Sequence, residues 1–174
     1  PAVWSGEAHN LTNPDLAEAQ KKLLYAMKET GKPVVVALFS GRPLVIEDID
    51  KDFSTILQAW HGGTMAAEAL ADILTGKEAP SGKLTSTWPR NVGQIPLYYN
   101  ALRTGRPYSG FWATTKYIDS TNDPLYPFGY GLSYNEYKYD NLRADKLQAK
   151  GEGDRIRVTV DVTNLGSMPG KEIV

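Results

Sequence analysis

Apolar residues recur along the first forty positions with the period of a helix and then with the pattern of a buried strand. Asn13, Pro14 and Asp15 form a typical helix start, because Asn caps, Pro suits the first turn and an acid favours the positive end of the helix dipole. Gly31 suits the position just beyond the helix end. The unbroken apolar run 33–39 predicts a strand that is covered on both faces, as in a parallel sheet. The predicted apolar face of the helix consists of Leu16, Ala19, Leu23, Ala26 and Met27.

The same alternation of helix and strand continues to residue 88. Residues 54–60 predict a second buried strand, although they also fit a helix. Residues 65–74 are rich in Ala and predict a helix that ends near Gly76. Residues 84–88 alternate as a strand does. Helices of this length between short strands favour an α/β sandwich with a mostly parallel sheet.

The remaining residues have a different character. Residues 90–130 show no sustained period and are rich in Pro, Gly and aromatic residues, which predicts an ordered, irregular segment held by the burial of Tyr and Trp. Residues 137–142 suggest a strand, and residues 155–163 place Ile156, Val158, Val160 and Val162 on one face. That alternation is typical of a half-exposed antiparallel strand of a β-sandwich. Residues 171–174 predict the start of a further strand, so we expect the β-sandwich to be truncated.

Composition narrows the classes of partner without reaching a function. The 174 residues contain 19 Lys and Arg against 20 Asp and Glu, a net charge of −1, which gives no reason to expect nucleic acid or an anionic membrane as a partner. The longest apolar run, 34–39, is too short to span a bilayer. The chain has no Cys, and its two histidines, His9 and His61, lack the spacing of metal ligands. We therefore expect neither a metal nor a cofactor.

Several motifs in a fixed order give the chain a family resemblance. They are Gly31–Leu44, Ala59–Thr64, Ala71–Gly76, Pro80–Leu84, Trp88–Pro96 and Leu125–Tyr134. In this order the motifs resemble family 3 glycoside hydrolases, in particular the three-domain bacterial β-glucosidases. The resemblance implies a barrel, a three-layer α/β sandwich and a fibronectin type III-like β-sandwich. Residues 1–133 would be the C-terminal part of the α/β sandwich domain, and residues 134–174 the first strands of an incomplete fibronectin type III-like domain. Because the chain starts at Pro1, we expect its natural N-terminus, and the barrel, to be missing.

The resemblance also implies a catalytic residue. In the family a Glu within Gly-Glu-Ala-Ser-Ser-Arg is the acid/base, about thirteen residues before a Gln in a helix. Here Glu7 follows Gly6 and stands thirteen residues before Gln20, so it matches that position. Trp4 and His9 flank Glu7 and could contact a sugar. The chain departs from the family at His9, Asn10 and Leu11, and Leu11 replaces the usual Arg. The nucleophile, an Asp, belongs to the absent barrel.

The function that the resemblance implies is that of a retaining, exo-acting β-glucosidase-like hydrolase. Its substrate would be a β-linked glucoside or oligosaccharide, its partner the missing barrel of the same protein, and its location periplasmic or secreted. The 174 residues alone are expected to be inactive, and self-association is left open. One alternative is a non-catalytic carbohydrate-binding or interdomain scaffold module, which Leu11 supports. Another is a flavodoxin-like binding domain, which rests on the α/β pattern alone.

Overall fold

The computed structural model describes residues 8–174 and divides into two compact units. The first unit contains the described residues through Ala66 together with Leu84–Tyr130, and the second contains Ala67–Lys83 and Gly131–Val174. None of the helices in residues 8–174 has the length and apolar character that a bilayer-spanning helix needs. The elements are α1 (Glu18–Glu29), β1 (Val36–Leu38), α2 (Glu47–Asp52), β2 (Ile56–Gln58), α3 (Ala66–Leu74), β3 (Tyr137–Ala144) and β4 (Val158–Asn164), with 3-10 turns at Gly63–Met65 and Val92–Gln94.

Helix α1 begins later than its sequence signals predict. The carbonyl of Pro14 accepts a hydrogen bond from the amide of Val45 at 2.8 Å, and Asp15 forms a parallel bridge with the same residue. This pairing holds the backbone extended, so the predicted start at Asn13 is wrong and the helix begins at Glu18. The predicted end is confirmed, because Gly31 follows the helix with a φ of +70°.

The inward face of α1 also differs from the predicted stripe. Leu24 and Tyr25 pack on the core, together with Leu16 from the preceding turn. Leu23 and Met27 are 63% and 49% exposed. Helix α1 is therefore rotated about its axis so that Leu24 and Tyr25 face the core, whereas Leu23 and Met27 do not.

Strands β1 and β2 form the predicted parallel pair. Val36 lies opposite Ile56 and Leu38 opposite Gln58, which confirms the strand interpretation of residues 54–60 over the helical one. Val36 and Leu38 are buried, but Val35 and Phe39 are 46% and 57% exposed. Ala37, on the opposite face of β1, is half-buried. Within the described residues this face is therefore only partly covered, and the predicted full cover of both faces is wrong there.

The core of the first unit is a single cluster that gathers residues from distant parts of the chain. Ile46 and Ile49 have no exposed surface, and Trp88 is 1% exposed. The other members are Val36, Leu38, Phe53 and Leu125. Helix α2, which supplies Ile49, was not predicted from the sequence. Its one apolar residue, Ile49, stands three and four positions from the flanking Ile46 and Phe53, but the helix has only six residues and the other five are charged.

Residues 84–88 do not form the predicted strand. The segment pairs with the 125–130 segment only near its two ends, through Leu84 with Tyr130 and Trp88 with Tyr126. The backbone bends at residues 85 and 86, between these two pairings. The predicted irregular character of residues 90–130 is confirmed, since their only helix or strand is the short turn Val92–Gln94.

The second unit contains α3 and an antiparallel pair of strands. Helix α3 is followed by Gly76 with a φ of +74°, as predicted. Strands β3 and β4 pair from Tyr137 opposite Asn164 to Ala144 opposite Val158, which confirms both predicted strands. Residues 171–174 have no strand structure, so that prediction is wrong for the described chain.

The buried position of Ile49 leads to a stability prediction. Ile49→Ala should lower the free energy of unfolding by about 3 kcal/mol, because it removes three methyl or methylene groups and leaves a cavity in a closely packed site. Ile118, which is 98% exposed, provides the matched control, and Ile118→Ala should change the free energy by about 0.5 kcal/mol or less. Urea unfolding monitored by Trp fluorescence measures both. Equal effects of the two substitutions would contradict the assigned core.

Candidate active site

The first unit carries a cavity of about 610 Å³. It is lined by residues from four segments, 10–14, 42–43, 85–89 and 95–100, and by Phe128. This volume lies within the range of about 300–1,000 Å³ typical of sites for small ligands. The lining begins at Asn10, three residues after the predicted acid/base Glu7.

The wall that follows the predicted catalytic loop is held by an ion-pair group. Lys21 of α1 contacts Asp15 at 2.9 Å and Asp48 of α2 at 2.8 Å. Burial alone lowers the pKa of Lys21, but the hydrogen bonds to the two carboxylates outweigh burial and raise it. Lys21 therefore remains charged and ties the 10–15 segment to both helices.

A second wall is the turn at the carboxyl end of β1. The hydroxyl of Ser40 donates a hydrogen bond to the carbonyl of Arg42 at 2.8 Å, and the amide of Gln58 on β2 donates one to that hydroxyl at 3.1 Å. A Cβ atom on Gly41 would lie 2.9 Å from Nε2 of His61, so the imidazole packs against the turn. These contacts fix the backbone from which the Arg42 side chain projects.

A third wall, residues 95–100, follows a buried polar anchor. Gln94 is 4% exposed and accepts a hydrogen bond from the amide of Arg90 at 2.7 Å. Its own amide donates to the carbonyls of Thr121 and Asp123 at 3.1 and 3.2 Å. The Arg90 guanidinium in turn contacts Glu47 of α2 at 3.1 Å. This network replaces the aromatic burial that the sequence predicted for the irregular segment.

Most aromatic residues of the irregular segment are in fact exposed. Tyr98, Tyr99 and Trp112 are 64%, 71% and 78% exposed, so the predicted burial is wrong for them. Tyr99 stacks on Phe128 with a ring separation of 4.3 Å and an interplanar angle of 17°. The stacked pair forms a flat apolar wall of the cavity.

Tyr126 is the exception, because it is half-buried and packs against the core. It stacks on Tyr130 at 4.9 Å, and its hydroxyl donates a hydrogen bond to the Asp50 carboxylate. Burial and that hydrogen bond raise the pKa of Tyr126 well above its usual value, so the phenol stays protonated. Tyr126 is thereby fixed beside Trp88 in the core.

This geometry is accompanied by a clear family match. Residues 1–134 match the family model described as the glycosyl hydrolase family 3 C-terminal domain. The chain belongs to glycosyl hydrolase family 3. The resemblance inferred from the ordered motifs is therefore confirmed.

Individual family 3 relatives agree over nearly the whole chain. It is 42% identical over 171 residues to a periplasmic beta-glucosidase of Salmonella typhimurium, a match that covers 97% of this chain and 22% of that protein. It is 40% identical to a beta-xylosidase of Formosa agariphila, with 97% and 23% covered. A crystal structure of beta-glucosidase from Listeria innocua in complex with gluconolactone matches with a TM-score of 0.87 and 41% identity, covering 96% of this chain and 23% of that one. The chain thus spans less than a quarter of these family 3 relatives.

The predicted site residues have different outcomes. Trp4 and Glu7 lie outside the described residues, so their roles stay predictions. His9 is described and exposed, and its neighbour Asn10 begins the cavity lining. Trp60, which is not among these residues, packs on the core, edge-on against Trp88 with ring centres 6.3 Å apart.

Sequence reasoning did not place Arg42 or Phe128 in the cavity wall, whereas it left open that the aromatic stretch 98–117, which includes Tyr99, lines a cleft. One signal for Arg42 was present, since it follows a predicted parallel strand, and α/β sheets bind ligands at the carboxyl ends of such strands. No comparable signal pairs Tyr99 with Phe128, because their stacking depends on how the irregular segment returns to the core.

The Glu47 carboxylate provides a pH-dependent test of the Glu47–Arg90–Gln94 network, which precedes the cavity wall at residues 95–100. Burial raises its pKa, but hydrogen bonds from Arg90 and Lys51 outweigh burial and lower it below the usual value. A lowered folded-state pKa means that the carboxylate stabilises the protein above its unfolded pKa, and that this contribution is lost as the pH falls through the folded pKa.

Glu47→Gln should therefore lower the free energy of unfolding by about 1 kcal/mol at pH 7, with a smaller difference as the pH falls from about 5 to 3. Urea unfolding across this pH range measures the difference from wild type. Glu78→Gln, at an exposed position, is the matched control and should have little effect at any pH. A constant difference for Glu47→Gln would contradict the role of its charge.

Proposed function

We propose that this segment belongs to a retaining, exo-acting β-glucosidase-like glycoside hydrolase that removes terminal sugars from β-glucosides. The family match and the names of the relatives support this activity, since two of them are a beta-glucosidase and a beta-xylosidase. The observation that carries the proposal is the cavity that starts three residues beyond Glu7.

In this proposal Glu7 is the general acid and then the general base. Retaining hydrolysis needs two carboxyl groups about 5 Å apart across the glycosidic bond, one as nucleophile and one as acid. Glu7 protonates the leaving oxygen as the nucleophile forms a glycosyl-enzyme, and it then removes a proton from the attacking water. The nucleophilic Asp belongs to the barrel domain, the proposed partner of this segment. Trp4 and His9 contact the sugar.

The finer architecture is also a proposal. We propose that residues 1–133 form part of a three-layer α/β sandwich domain, and residues 134–174 the first strands of a fibronectin type III-like domain. The parallel pair β1–β2 supports the first part and the antiparallel pair β3–β4 supports the second. A periplasmic or secreted location is proposed from similarity to the periplasmic beta-glucosidase of Salmonella typhimurium.

A second candidate function is a non-catalytic carbohydrate-binding or interdomain scaffold module. The exposed aromatic residues of the irregular segment favour it, because aromatic faces stack on sugars and also pack between domains. Leu11, which replaces the Arg usual in the catalytic loop, favours it as well. In that case substitution of Glu7 leaves turnover by the whole protein unchanged.

The test of Glu7 compares substrates with different leaving groups in the whole protein. For Glu7→Gln we expect kcat/KM on phenyl β-glucoside to fall by about 100-fold or more, because phenolate needs protonation as it leaves. The loss on 2,4-dinitrophenyl β-glucoside should be much smaller, since that anion departs unaided. Glu29→Gln, on the exposed end of α1, is the control with unchanged rates. Wild-type rates for Glu7→Gln on both substrates would exclude Glu7 from the mechanism.

A further inference from the structure

The cavity has an unusual balance of charge. Among the lining residues within 8–174, Arg42 is the only charged one, and none is Asp or Glu. The other polar groups are neutral hydroxyls and amides, including those of Thr12, Thr87 and Asn100. A negatively charged group that entered the cavity would therefore meet one cation and several hydrogen-bond donors among the described lining residues.

Arg42 has a fixed backbone and no carboxylate counter-charge among the described residues. It is half-buried, and its backbone is fixed by the hydrogen bonds from Gln58 to Ser40 and from Ser40 to the Arg42 carbonyl. Within residues 8–174 no carboxylate lies within ion-pair distance of its guanidinium. Other half-buried cations of this unit are paired, as Lys21 is with Asp15. The fold thus fixes the backbone at Arg42, and no carboxylate of residues 8–174 is paired with its guanidinium.

The cavity also offers a flat apolar surface. The stacked rings of Tyr99 and Phe128 form part of its wall, and Pro43, Pro96 and Leu97 add further apolar surface. Such walls favour a planar ring over a small inorganic anion. One guanidinium matches a carboxylate through two parallel hydrogen bonds.

We propose that this cavity binds an aromatic carboxylate, with the carboxylate on Arg42 and the ring beside Tyr99 and Phe128. The inference rests on the proposed function, and it gives that function a substrate class, namely β-glucosides whose leaving group is an aromatic acid. Arg42 is then a specificity-determining residue for the leaving group. Ser40 and Gln58 act through Arg42 as positioning residues.

The test uses the whole protein and two substrates of nearly the same shape, the anionic 4-carboxyphenyl and the neutral 4-carbamoylphenyl β-glucoside, whose leaving groups also differ modestly in acidity. Wild type should prefer the carboxylate by about 10-fold in kcat/KM, mainly through a lower KM, since hydrogen bonds to charged groups are stronger than those to neutral ones. Arg42→Gln should raise KM for the carboxylate by about 10-fold and abolish the preference. Arg42→Lys should restore part of the preference, because it keeps the charge but loses the planar fork.

Two controls separate the possible failures. Arg155→Gln removes an exposed arginine of the second unit and should leave the preference intact. Equal kcat/KM for the two substrates in wild type, or an equal loss for both in Arg42→Gln, would overturn the inference and leave the proposed function standing. If wild type hydrolyses neither substrate, the proposed function fails. Calorimetry with 4-hydroxybenzoate then tests the cavity as a carboxylate site by itself. Binding heat that is seen with wild type and absent with Arg42→Gln supports the site, and no binding to wild type overturns it.

Discussion

Burial of Ile46, Ile49 and Trp88 in one apolar cluster fixes the segments that surround the cavity. Ile46 and Ile49 follow the turn that carries Arg42, and Trp88 lies within the 85–89 wall. Leu125 anchors the return of the chain three residues before Phe128. Because protein interiors are closely packed, these three segments cannot move far without opening the cluster. The shape of the cavity is therefore a consequence of the core.

Polar contacts then fix the loop segments around the apolar core. Gln94 is buried, and its side-chain amide forms hydrogen bonds with three backbone groups. The irregular segment is therefore ordered without a ladder of strand hydrogen bonds. Lys21 holds the loop that precedes α1, because it forms ion pairs with Asp15 of that loop and with Asp48 of α2. A site built in this way has rigid walls made from loops. Such loops can differ among relatives of one fold without disturbing the core.

The sequence predicted best what depends on local pattern. The parallel pair β1–β2, helix α3 and the antiparallel pair β3–β4 follow from periodicity and from glycines at helix ends. It failed where a tertiary contact overrides a local signal, as when pairing of Pro14 with Val45 delays α1. It also missed the six-residue helix α2, whose stability comes from burial of Ile49 and little from its length. For the site, motif order led to the family and to Glu7, but Arg42 and the Tyr99–Phe128 stack required the folded chain.

The central claim is that the carboxyl group of Glu7 acts on the leaving group and on water beside this cavity. Azide rescue tests it most directly. In the whole protein carrying Glu7→Gly, azide can occupy the space of the lost carboxyl group and attack the glycosyl-enzyme without a general base. With 2,4-dinitrophenyl β-glucoside, azide should raise kcat by about 10-fold or more and yield the β-glucosyl azide, identified by NMR. A rate independent of azide, with glucose as the only product, would contradict the claim.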